Sequence, residues 1–151
     1  MSVCTFIASD LPLTEVEPLQ DYPLEINIDK GTIYDGDAGD NYFLNTFTNV
    51  GDYTHKKYGV CLEWNYTEGR AKQIINYIKK ALQKTDSVEF WHVWLTDYYE
   101  FEDRPVIHRK NISIEELATT DIKEIDNAEI WNTPDKMYPN RPSFYCLTIS
   151  R

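Results

Sequence analysis

The run VEFWHVWL at residues 88–95 constrains the fold more than any other stretch of this chain. Both alternating sets of positions are apolar, and only Glu89 and His92 interrupt them. Successive side chains of a strand point to opposite faces, so this is the pattern of a central strand. Its neighbour is expected to be RPVIHRKNI, residues 104–112, joined to it across TDYYEFED.

Other strands are read around it. VCTFIAS at residues 3–9 is a short apolar run suited to burial. LEINID at 24–29 alternates apolar and polar residues, a strand with one wet face. YFLNTFTNV at 42–50 is β-rich by composition, and residues 51–57 form a loop. YGVCLEWN at 58–65 and SFYCLTISR at 143–151 complete the set, the last as a closing strand.

One substantial helix is predicted over residues 67–84. Thr67 caps it and Glu68 suits its positive end, as Lys79, Lys80 and Lys84 suit the negative one. Ala71, Ile74, Ile75, Ile78 and Leu82 share one face. Ser113 and Glu116 have the spacing of a capping box opening a short helix, and Thr120 caps another ending near Asp126. The expected architecture is α+β: a largely antiparallel sheet of six or seven strands, the main helix on one face and short helices near 113–126. Strands and helices do not alternate regularly, which argues against a doubly wound parallel sheet.

A chain of 151 residues is expected to be one domain, residues 1–151. At that size about 70% of the unfolded chain's surface is buried on folding, so neither disulfide nor metal is required. No apolar run approaches the roughly 20 residues of a membrane helix, and the first residues lack the basic region of a signal peptide. Cys4, Cys61 and Cys146 lie in apolar stretches and read as reduced core residues of a cytoplasmic protein. Net charge is −10. Between Asp10 and Asp52 ten acids face a single base, Lys30. Such a field repels nucleic acid and anionic membrane and attracts basic partners, although plain solubility also explains it.

The acidic turn TIYDGDAGDNYF fails as a calcium loop. Counting from Asp35, position five is Gly39, position six is Asp40, and position twelve is Thr46 instead of glutamate. A strand connection using Gly36 and Gly39 fits better. No metal-ligand spacing, phosphate loop or nucleophile elbow is present, and no cofactor is expected. Arg70, Lys72, Lys79, Lys80 and Lys84 are read as a solvated helix face. The strand cysteines and His92 could converge in one sheet with Glu63 behind them, which is the arrangement of a nucleophile with an oriented base.

The candidate partner-binding segment is TDYYEFEDR. It carries Tyr98, Tyr99 and Phe101 among Asp97, Glu100, Glu102 and Asp103. Loop tyrosines suit interaction hot spots and the carboxylates would steer a basic partner, while folding of the rings onto the sheet is the competing account.

CTFIAS at residues 4–9, LEWNYTEGRA at 62–71 and FWHVW at 90–94 resemble a group of small bacterial proteins of unassigned function. Size, charge and the Glu68-Gly69-Arg70 junction give a looser resemblance to acidic immunity proteins that neutralise bacterial toxins. The resemblance implies a bacterial, cytoplasmic protein and supplies no catalytic residue. The expected function is therefore a non-enzymatic acidic binding protein, in its narrower form an immunity-type inhibitor of a basic protein. The alternatives are a small enzyme using a strand cysteine with His92, and a homodimer closed through an aromatic surface.

Overall fold

The structure is a computed structural model. It describes residues 3–16, 24–27, 32–35, 43–63, 66–94, 106–126 and 143–151. The strands are β1 (Val3–Ser9), β2 (Leu24–Asn27), β3 (Thr32–Asp35), β4 (Phe43–Thr46), β5 (Tyr58–Glu63), β6 (Ser87–Trp94), β7 (Val106–Ser113) and β8 (Ser143–Ser150). Two α-helices accompany them, α1 (Glu68–Ala81) and α2 (Thr119–Asp126), with a 3-10 helix at Thr48–Asp52.

Six strands form one sheet in the order β4-β5-β1-β6-β8-β7. All its pairings are antiparallel except β7 with β8, which is parallel. The class is α+β and the sheet is mixed. The apolar run is central as expected over residues 88–94, because β6 pairs with β1 on one side and β8 on the other.

Its second neighbour differs from the sequence expectation. β7 is an edge strand, and β8 lies between it and β6. A parallel pair needs a crossover connection, and the chain from β7 to β8 runs through α2. The strand at 143–151 is thus inserted into the sheet, not added at its edge.

β2 and β3 pair separately as a two-stranded ribbon. Thr32 to Asp35, read as part of an acidic turn, are strand residues. The rest of that turn, Gly36 to Tyr42, lies outside the described residues. The strand expected over 42–50 stops at Thr46, and residues 48–52 coil into the 3-10 helix. The last register pair of β4 with β5 is Thr46 with Val60, and the Phe47 N–H beyond it donates to the Gly59 carbonyl at 2.8 Å.

α1 follows its sequence pattern. The Thr67 hydroxyl accepts from the Arg70 N–H at 3.1 Å, Glu68 occupies the first turn and Lys79 and Lys80 the last. Ala71, Ile74, Ile75, Ile78 and Leu82 are buried, while Lys72, Lys79, Lys80 and Lys84 are exposed. Arg70 departs from the solvated face and is 9% exposed. The predicted capping box is one hydrogen-bonded turn, with Glu116 and Leu117 N–H groups on the Ser113 carbonyl. α2 begins at Thr119, and Asp121 reaches back to the Ala118 N–H at 2.9 Å.

Both α-helices pack on one face of the sheet. Their buried residues join Ile7, Leu44, Val60, Leu62, Val88, Phe90, Leu147 and Ile149 in one apolar cluster. The opposite face presents Cys4, Phe6, Ala8, Trp91, Val93, Phe144 and Cys146. Among the described residues no α-helix covers it. A strap of residues 47–56 crosses it instead, pressing Phe47, Val50 and Tyr53 against Phe6. The strap extends over part of the face, and the area beyond it holds the candidate site.

Candidate functional site

Glu89 is the residue that sets this site apart. It stands on the strap-side face of β6, the same face as Trp91 and Val93, and it is 8% exposed. A buried carboxylate is costly unless its oxygens are satisfied. Oε1 accepts from the Thr54 hydroxyl, supplied by the strap, and from Trp91 Nε1–H at 3.3 Å. Oε2 meets only longer contacts among the described residues: Cys146 Sγ at 3.9 Å and Arg109 Nη1 at 3.8 Å.

Arg109 reaches the site because β7 pairs in parallel with β8, placing it opposite Cys146. Its guanidinium lies 5.3 Å from the centre of the Trp91 ring. The side chain is half exposed, so it forms part of the mouth and not of the core. On the other rim Lys56 donates to Asp10 at 2.8 Å and to Ser87 at 3.0 Å.

Glu89 and Arg109 line a cleft of about 610 Å³, open to solvent and walled by the strap residues 51–56, Asp10, Ile107 and Phe144. Its volume falls in the range of small-ligand sites. The walls mix acidic and basic groups. Glu89 is the charged group on the buried floor, and its Oε2 retains the capacity to accept a hydrogen bond from an entering donor.

The cysteine and histidine arrangement considered from sequence does not assemble. Register decides this. Thr5 is opposite His92, whereas Cys4 is opposite Val93, Cys61 opposite Phe6 and Cys146 opposite Trp91. Because faces alternate along each strand, all three cysteines lie on the strap side and His92 on the helix side. His92 Nδ1 instead sits 3.3 Å from the Thr5 hydroxyl, with its ring edge toward Tyr145. Burial pushes its pKa down to about 4, so the ring is neutral at pH 7. Cys146 is pushed up to about 12 by burial first and by the charge of Glu89 second. Glu63 is exposed beside the Cys4 and Cys61 pair, on the cysteine face.

The segment from Asp97 to Asp103, with Tyr98, Tyr99, Glu100, Phe101 and Glu102, lies outside the described residues. Among the described residues no group of three or more His, Cys, Asp or Glu side chains is placed to hold a metal ion. No helix described is long and apolar enough to cross a membrane.

In the sequence Glu89 stands out only as an interruption of an apolar strand. That interruption was the available signal, since a lone acid in a two-sided apolar strand must be buried with partners. Arg109 and Thr54 carried no comparable mark. No protein-family model, curated protein or solved structure matches the chain at a significant level.

Proposed function

We propose that this chain is a non-enzymatic acidic binding protein that holds a basic partner protein, and that the cleft over Glu89 receives a hydrogen-bond-donating side chain of that partner. The observation that carries the reading is the buried carboxylate lining the cleft, with Oε1 bonded to Thr54 and Trp91 and Oε2 held only by contacts of 3.8 and 3.9 Å to Arg109 and Cys146. A lysine or arginine tip would give Oε2 a shorter charge-assisted bond than the 3.8 Å ion pair it makes with Arg109. The chain's net charge of −10 would raise the encounter rate with such a partner. An immunity-type inhibitor of a basic toxin is the narrower form of this reading, drawn from the likeness in size and charge. The segment from Asp97 to Asp103 would add aromatic and acidic contacts.

Trp91 gives a direct probe, because its indole N–H is bonded to Glu89. ¹⁵N-labelled protein would be titrated with a lysine- and arginine-containing peptide and with a glutamate peptide of equal length. The reading expects a saturable shift of the Trp91 indole resonance with the basic peptide, weakened by salt and lost in Glu89→Gln. An unmoved resonance, or equal shifts with both peptides, would reject the cleft as the contact site.

A further inference from the structure

On the strap-side face, away from the cleft, two thiols meet across the β1–β5 pairing. Cys4 Sγ lies 3.0 Å from Cys61 Sγ. Register sets Cys61 opposite Phe6, so Cys4 and Cys61 are diagonal partners of an antiparallel pair. Both sulfurs point to the same face and into the same small cluster as Phe6 and Phe47. Cys4 is 4% exposed, whereas Cys61 is half-buried. An incoming reagent therefore reaches Cys61 first.

We propose that Cys4 and Cys61 form a redox-active dithiol, oxidised by a hydroperoxide to a disulfide that ties β1 to β5, with Cys61 as the attacking and Cys4 as the resolving sulfur. A disulfide bond is about 2.05 Å long, so the sulfurs close by about 1 Å on oxidation.

The steps balance. The Cys61 thiolate attacks the outer oxygen of ROOH. An S–O bond forms, the O–O bond breaks, and RO⁻ takes a proton to leave as ROH. Cys4 sulfur then attacks the Cys61 sulfenic acid. The S–S bond forms, the S–O bond breaks, and hydroxide leaves as water with the Cys4 proton. Two thiols lose two electrons and two protons, and ROOH becomes ROH and water.

The order of attack has an electrostatic basis as well as a steric one. The Cys4 S–H donates to a Cys61 thiolate and lowers the Cys61 pKa. Cys4 moves the other way: its hydrogen bond to Cys61 holds the proton first, and its own burial and then the charges of Cys61 and Glu63 oppose a second ionisation. Cys146 is the internal control. It is buried, lies on β8 instead of β1 or β5, and has its thiol held near 12.

The test uses the folded, fully reduced chain. It would be treated with stoichiometric hydrogen peroxide, blocked with an alkylating agent under denaturing conditions, and mapped by mass spectrometry. The expected product is a monomer lighter by two hydrogens (about 2 Da). It joins the Cys4 and Cys61 peptides, leaves Cys146 alkylated, and is reversed by dithiothreitol. Three alkylated thiols would overturn the proposal. So would Cys61 sulfinic acid without a cross-link, or a disulfide that includes Cys146 or joins two chains. In Cys4→Ser the Cys61 sulfenic acid should persist and be trapped by dimedone. Should that variant fail to fold, the wild-type map alone decides.

Discussion

Gly59 shows how the strap is held, and a methyl group added there tests it. A Cβ on Gly59 would meet Val50 Cβ and Cγ2, both at 3.1 Å, and the Phe47 carbonyl oxygen at 3.4 Å. Two of these approaches are a few tenths of an ångström too close, so Val50 must give way and carry the strap with it. Overpacking of this kind costs about 1–3 kcal/mol. Relieving a strand glycine of its excess chain entropy returns about 0.5–1 kcal/mol. Gly59→Ala is therefore expected to destabilise by up to about 2.5 kcal/mol. Val50→Ala removes two buried methyl groups at about 0.8 kcal/mol each, and the residual space adds to that. Val50→Ala also deletes the Cγ2 that the new methyl strikes. The double variant should therefore be more stable than the sum of the single effects predicts, by about 1 kcal/mol. Urea unfolding of the four proteins at a common m-value measures this cycle. Additivity within about 0.5 kcal/mol would mean that the two residues do not press on each other, and would refute the account of how the strap is seated.

Two further outcomes are expected. Thr67→Ala removes the acceptor for the Arg70 N–H at the start of α1 and should lower stability by about 1 kcal/mol, read as a fall in the urea midpoint. His92 is neutral in the fold with a pKa of about 4, against 6.5 for an ordinary histidine. Above pH 6.5 neither the folded nor the unfolded chain holds that proton, so His92 contributes no slope. Between pH 6.5 and 4 only the unfolded chain takes it up, and stability falls with pH, by about 3 kcal/mol at most. His92→Gln should flatten that part of the stability profile; an unchanged slope would show that other groups cause it.

The chain's local signals read well where burial dictates the pattern. Ile74, Ile75, Ile78 and Leu82 mark the helix face that packs on the sheet, and the two-sided apolar run of β6 marks the sheet centre. Partner choice between strands left no such mark. The residues of β7 suit a neighbour of β6 as well as a neighbour of β8, and what separates them is the crossover through α2. Face parity shows the same limit. Alternation within β1 is legible, but whether Cys4 or Thr5 shares a face with His92 depends on a register that one residue of slip would invert. The strap is not legible because Phe47 and Val50 continue a β-rich composition, while residues 48–52 coil into a 3-10 helix beside Phe47, whose ring packs on Phe6. Glu89 was visible as a break in a pattern, and its partners became identifiable only through the pairing of β6, β8 and β7.

The central claim is that Glu89 anchors a basic partner. Its most direct test is affinity for the protein captured by the tagged wild-type chain from lysate of its own host, measured with wild type and with Glu89→Gln. The account predicts a basic protein bound stoichiometrically, weaker at high salt, and losing at least tenfold in affinity with the variant, while the variant's unfolding midpoint shows that it remains folded. A captured protein that binds the folded Glu89→Gln variant as tightly as wild type would contradict it.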